Sequence, residues 1–330
     1  MHYIKKQLSL IFLFTISIVS ISFGQTQKAD EYYFNPVFGN NNITIIPDQC
    51  NKGFIDKKLT KTIDKVNKKG GGIITIKNGD YKFKKGVVLK SNVHIHIESD
   101  VNFYMDQAGV MFSARSTTSG KPISNFSLIG LSADNTEPFT VNFKYGNSKT
   151  NIKKNGFVKL GYSSNFKISN VKIIDAYTGM SSIVLSSDVS SIDILFNPDS
   201  KKNKKNGRTS LINEVFGVPS KGIIEKIYNE NASYGYGLVQ MQAGNNIVYR
   251  DLSGTGGVTL RLESGLNINQ LFRPVDSAHI YLVKGIELPV TIDKQPKIDQ
   301  VYANNISCEN GHAAFTMSPH TGKARECFSI

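Results

Sequence analysis

Short β-branched or aromatic bursts recur along most of this chain, and each is set off by asparagine, serine or glycine. They fall at Ile73–Ile76, Val93–Ile97, Phe126–Ile129, Phe157–Leu160, Phe166–Ile168, Val171–Ile174, Ile183–Leu185, Ile192–Leu195, Gly237–Gln240, Ile247–Tyr249, Val258–Leu262 and Ile280–Val283. No burst is long enough to bury a face by itself, so each must stack on the next. Asn165, Asn170 and Asn246 each stand directly before a burst. This places an asparagine turn where the chain enters a strand. The pattern predicts an all-β fold, a right-handed parallel β-helix. A β-sandwich also uses many short strands, but regularly spaced Asn-Gly hairpins are missing. Helical periodicity is sustained best over Lys58 to Val66, which predicts a short N-terminal helical cap. In the burst Val93–Ile97, alternation puts Val93, Ile95 and Ile97 inward and His94 and His96 outward. Two histidines two apart, with no third ligand nearby, are a weak metal signal.

The first residues read as an export signal. Lys5 and Lys6 precede an apolar stretch from Leu8 to Phe23, and Ser22-Phe23-Gly24 offers a small-x-small cleavage site. Cleavage after Gly24 leaves 25–330 as a single domain and predicts a secreted, extracellular or periplasmic protein with no membrane anchor. The whole chain has 39 basic and 26 acidic side chains, a formal charge of +13. Outside the cell, a basic protein meets sulfated or carboxylated polysaccharides rather than nucleic acid, and no nucleic-acid-binding motif is present. The basic run Lys201–Arg208 is an exposed loop, a candidate to bind polyanions beside a groove. Three cysteines are too few for a disulfide scaffold. Cys308 and Cys327 are near enough in sequence to pair, which would leave Cys50 over; three buried free thiols are the alternative.

The chemistry concentrates between Asn231 and Glu263. Strand alternation places Thr259, Arg261 and Glu263 on the outer face and Val258, Leu260 and Leu262 in the core. Arg261 and Glu263 then have Cα atoms ~6.5 Å apart. Gln240, about one coil earlier, stacks beside them. A carboxylic acid that protonates a glycosidic oxygen, next to a cation that holds a charged sugar, is what a glycosidase cleft needs. A plain surface ion pair between Arg261 and Glu263 accounts for the same residues. No nucleophile-elbow motif appears.

These residues also carry a resemblance. The segments Gly235-Tyr236-Gly237-Leu238-Val239-Gln240, Gly256-Gly257-Val258-Thr259-Leu260-Arg261-Leu262-Glu263 and Asn310-Gly311-His312-Ala313-Ala314 resemble the iota-carrageenases, glycoside hydrolase family 82. The likeness runs from about Lys68 to His320; its Gly70-Gly71-Gly72 end is shared with many polysaccharide-degrading β-helices. It implies a secreted right-handed β-helix that hydrolyses β-1,4 bonds of a sulfated galactan with inversion. It further implies that Glu263 is the general acid, that Gln240 and His312 line the active site, and that Gly235, Tyr236 and Arg261 lie near the cleavage point. The implied partner is iota-carrageenan, the implied state is a monomer, and no cofactor is required. A calcium or sodium ion and chloride remain open.

Two departures stand out. The family pattern has an aspartate two residues after the acid, acting as general base, where this chain has Gly265. Asp251, Asp276, Glu287 or Glu309 would have to replace it. The chain also stops at Ile330, soon after the His312 segment, which suggests a member truncated at its C-terminus. A β-helix that binds sulfated glycan without cleaving it is therefore a second expectation. A polysaccharide lyase ranks below both, because no cluster of aspartate ligands for Ca²⁺ is seen.

Overall fold

The computed structural model describes residues 27–105, 107–115, 121–132, 137–143, 147–148, 151–152, 154–186, 188–189, 215–263, 298–317 and 328–329. The leader, the run Lys201–Arg208, and the bursts Ile192–Leu195 and Ile280–Val283 lie outside them.

The chain winds as a right-handed parallel β-helix. One sheet has seven strands, in spatial order Val87–Val88, Gly109–Ala114, Asn155–Leu160, Ile183–Leu185, Gly237–Met241, Val258–Leu262 and Ala313–Met317. The other has twelve. Its main path runs from Asn41–Ile45 through Gly72–Ile76, Val93–Glu98, Ile123–Leu131, Ser163–Ile174, Ser220–Glu230, Gly244–Thr255 and Ile298–Glu309 to Phe328–Ser329. Every pairing described in these two sheets is parallel, which excludes the sandwich.

The long strands of the second sheet each contain corners. Asn170, Lys226, Asp251 and Asn305 have φ of 59°, 52°, 53° and 52°. They lie in one column, because Ser169, Glu225, Arg250 and Asn304 pair just before them and Val171, Ile227, Leu252 and Ile306 just after. Asn125, Asn165, Lys221, Asn246 and Gln300 form a second left-handed column. Phe166–Ile168 and Val171–Ile174 are therefore one bent strand, and Asn170 is its corner rather than a turn between strands. Asparagine tolerates the left-handed region; a lysine or glutamine there costs about 1 kcal/mol, offset by the parallel ladder on both sides.

Inside, phenylalanines from successive coils meet edge to face. Phe103 lies 5.2 Å from Phe83 and 5.6 Å from Phe139, and Phe112 lies 5.7 Å from Phe157. The predicted cap is real and longer than its periodic stretch: helix α2 spans Asp56–Lys68 and buries Leu59, Ile63 and Val66 over the first coil. A four-residue helix, α1, spans Asp30–Tyr33.

From α1 to Phe38 the chain runs as a strap along the outside of the larger sheet. Both Asp30 oxygens take hydrogen bonds from Arg250, at 2.9 and 2.6 Å. Asn165 bonds the backbone of Asn35 twice, at 2.8 and 3.0 Å, and Asn125 does the same to Val37, at 3.0 and 2.8 Å. Two corner asparagines thus use their amides to dock the strap. It ends on His94, whose ring lies 4.6 Å from Phe38. His94 leaves the sheet on its outer side, as alternation predicts, but the strap covers it. It is fully buried, its Nδ1 lies 3.0 Å from Ser127 Oγ, and burial lowers its pKa to about 4. The pKa of His96 is lowered by burial as well. Among the described residues no cluster of three histidine, cysteine or acidic side chains is placed to hold a metal, and no helix is long and apolar enough to cross a membrane.

Candidate active site

Gln240 and Arg261 are neighbours in register on adjacent strands of the seven-stranded sheet. Glu263 follows the second strand directly, and its N–H continues the ladder to Met241 O at 2.8 Å. Inward-facing Leu260 and Leu262 anchor this strand in the core. Arg261 and Glu263 are therefore sent outward, as alternation predicts. The Glu263 carboxylate is 5% exposed, and Gln240 Nε2 donates to its Oε2 at 2.7 Å. Arg261 pairs with Oε1 through Nη2 and donates through Nη1 to the carbonyl of Gly235. Both carboxylate oxygens and both guanidinium ends are thus engaged, and the group is held in one pose.

Thr259 does not join the outward row. It is buried, and its hydroxyl donates to Ser307 O in the other sheet at 2.7 Å. Alternation fails where strands enter this sheet: Leu238 and Val239 are both buried, as are Phe157 and Val158. Val258, Leu260 and Leu262 are buried as expected.

The turn carrying Gly235 and Tyr236 sits against the next coil at glycines. A Cβ on Gly257 would lie 1.8 Å from Tyr236 O, and one on Gly237 would lie 1.7 Å from Val258 O. Tyr236 is half-buried, with its N–H on Ser233 O and its carbonyl taken by Val258 N–H. His312 donates its N–H to Gly256 and Gly257, both at 2.9 Å. Ala313 pairs with Val258, so His312 is level with Gly257, six residues before Glu263. The strand rise makes this roughly 20 Å along the sheet. Glu263, Gln240 and Arg261 are in direct contact; Gly235 joins through Arg261; His312 stands at the far end of the same strands.

Sequence reading missed Tyr234 and Lys159. Tyr234, 80% exposed, stacks on His312 with ring centroids 4.8 Å apart and planes at 25°. Lys159 lies in the column of Gln240, through the pairs Gln240–Val184 and Val184–Lys159. Of the carboxylates considered as replacement base, Asp251 is a corner of the larger sheet, bonded by Asn305 at 2.7 Å, and Glu309 precedes the His312 turn. Neither stands beside Glu263. Gly265, Asp276 and Glu287 lie outside the described residues. Cys50 and Cys308 are free; Cys308 Sγ is 3.6 Å from Gly257 O, and its proposed partner Cys327 also lies outside.

Comparison with known proteins finds relatives of the whole fold. The chain is 31% identical over 303 residues to an iota-carrageenase of Alteromonas macleodii, covering 90% of this chain and 51% of the relative. It is 29% identical to an iota-carrageenase of Zobellia galactanivorans, covering 90% and 49%. A crystal structure of the family GH82 iota-carrageenase from A. fortis superposes with a TM-score of 0.66 at 29% identity, over 90% of this chain and 54% of that one. An iota-carrageenase complexed to iota-carrageenan fragments gives 0.63 at 28% identity, over 88% and 54%. No protein-family model matches the chain. The chain spans about half the length of the curated relatives it matches. Across nine-tenths of its length, and with about three residues in ten identical, the chain is similar to the iota-carrageenases, glycoside hydrolase family 82, and shares their parallel β-helix.

Proposed function

We propose that this protein is a secreted endo-hydrolase of iota-carrageenan that cleaves β-1,4 bonds with inversion and uses Glu263 as general acid. The observation that carries the reading is the Gln240–Glu263–Arg261 cluster, a nearly buried carboxylate held beside a cation on a β-helix face. The substrate class rests on the relatives' names and agrees with the net charge of +13.

Each residue has a definable task. Glu263 gives a proton to the glycosidic oxygen as the bond to the anomeric carbon breaks. To do so, one of its oxygens must face that oxygen, yet Oε1 pairs with Arg261 and Oε2 takes the Gln240 bond. A substrate sulfate competes for the guanidinium, since Arg matches sulfate through paired N–H donors as it does phosphate. Drawing Arg261 away frees Oε1 toward the scissile bond, while Gln240 keeps the carboxyl group in place. Inversion also needs a base about 6.5–9.5 Å from the acid, with a water between them. Among the described residues, neither Asp251 nor Glu309 stands where that base would act. Acid–base hydrolysis of this kind needs no organic cofactor, and the protein acts as a monomer.

Gly265 in the usual base position favours a second reading, a β-helix that binds sulfated glycan without cutting it. Glu263→Gln separates the two: the hydrolase reading expects lost cleavage with binding retained. Proton NMR of the first product tests inversion, which yields the α anomer from a β bond; a first-formed β anomer overturns it.

A further inference from the structure

The turn before Gly237 and the turn before Ala313 belong to coils separated by a third, whose own turn is Gly256-Gly257. That middle turn carries no side chain. The rings of Tyr234 and His312 meet across it, nearly parallel, at 4.8 Å. His312 is fixed from below by its N–H bonds to Gly256 and Gly257. Tyr234 stands in the turn whose next residue, Gly235, is held by Arg261. Tyr234 is 80% exposed, so its ring is open to a partner outside the protein. One of its faces is taken by His312 and the rest is open to solvent. The stack holds the ring in a fixed pose, so a ligand loses less freedom on meeting it.

The geometry points to the Tyr234–His312 stack as a sugar-binding platform for one pyranose ring of a galactan chain, set away from Glu263 along the same strands, with Arg261 between them. A galactose ring offers an apolar C–H face that suits an aromatic plane, and its hydroxyls or sulfate remain free at the rim. Arg261 touches both the acid and the platform's turn, so a chain seated on the platform runs across the cation to the acid. Because an endo-acting enzyme must hold sugars on both sides of the cut, a platform remote from the acid gives it purchase on the chain. The inference rests on the proposed galactan substrate and names a residue that reading does not use.

The test is calorimetric titration of iota-carrageenan oligosaccharides, and of an unsulfated galactan oligosaccharide, into wild type, Tyr234→Ala and Tyr234→Phe, with KM and kcat measured in parallel. Tyr234 lies on an exposed turn, and equal melting temperatures establish that the variants fold. Tyr234→Ala is expected to weaken binding and raise KM about tenfold, with the smaller effect on kcat. Tyr234→Phe is expected to rescue most of the loss, because the ring face and not the hydroxyl makes the contact. Unchanged binding in Tyr234→Ala while wild type binds overturns the platform and leaves the hydrolase reading intact. Binding of unsulfated galactan alone, lost in Tyr234→Ala, keeps the platform and overturns the sulfated substrate. A wild type that binds no galactan overturns both.

Discussion

Asp175 is fully buried at the end of the strand Ser163–Ile174, directly beneath the site's turn. Its Oδ1 accepts the N–H of Thr178 at 2.7 Å and its Oδ2 the hydroxyl of Ser182 at 3.2 Å. These bonds close a turn in which Ala176 and Tyr177 are both left-handed, with φ of 53° and 62°. Tyr177 N–H in turn donates to Asn231 O at 2.8 Å and Ser182 N–H to Gly237 O at 2.9 Å, so this turn supports the next coil's. Burial outweighs the hydrogen bonds and pushes the Asp175 carboxyl up to about 7 from 3.8. A carboxyl raised on folding keeps its proton in the native state after the unfolded chain has lost its own. Stability therefore falls as pH rises from about 4 to about 7, and is flat beyond. A shift of about 3 units corresponds to ~4 kcal/mol. Asp175→Asn retains an acceptor for Thr178 and removes the titration. Urea unfolding of both proteins from pH 4 to pH 8 isolates the effect, since other titrating groups cancel in the difference. The asparagine variant should gain on wild type by several kcal/mol across that range. A difference that stays constant with pH, or that moves in favour of wild type, would refute the reasoning.

Three further outcomes are expected. Arg250→Ala strips Glu225, whose side chain is 7% exposed, of one of its two cations and releases Asp30; a loss of about 2–3 kcal/mol in urea unfolding is expected, leaving the strap loose. His94, depressed from 6.5 to about 4, contributes stability that is complete above pH 6.5 and is lost as pH falls toward 4, so melting temperature should drop over that window less in His94→Gln than in wild type. Gly257→Ala sets a methyl 1.8 Å from a backbone carbonyl that cannot step aside; thermal melts should show a loss of about 3 kcal/mol or more, and the Tyr234–His312 stack should go with it.

The fold was legible because its repeat is written in residues with one clear preference. β-branched bursts mark the strands, and asparagine marks left-handed corners at Asn125, Asn165, Asn170, Asn246 and Asn305. The same corners at Lys221, Lys226 and Gln300 carry no such mark, because the neighbouring coils impose the conformation there. The burial of His94 was not legible for a different reason: alternation gave its direction correctly, but the strap that covers it comes from more than fifty residues upstream and has no periodicity of its own. At the site, Gln240 and Glu263 are 23 residues apart, one coil, so their contact follows from stacking. Thr259 broke the rule because consecutive residues turn inward where strands enter the smaller sheet. The Tyr234–His312 stack could not be read at all, since it depends on the bare glycine turn between two coils distant in sequence.

In the proposed function, the carboxylate held by Gln240 and Arg261 cuts a sulfated galactan. The decisive assay is reducing-end release from iota-carrageenan by the purified protein, with kappa-carrageenan and the Glu263→Gln variant run alongside. Release is expected from iota-carrageenan, little from kappa-carrageenan, and none from the variant. A folded wild type that releases nothing, or a variant as active as wild type, would contradict it.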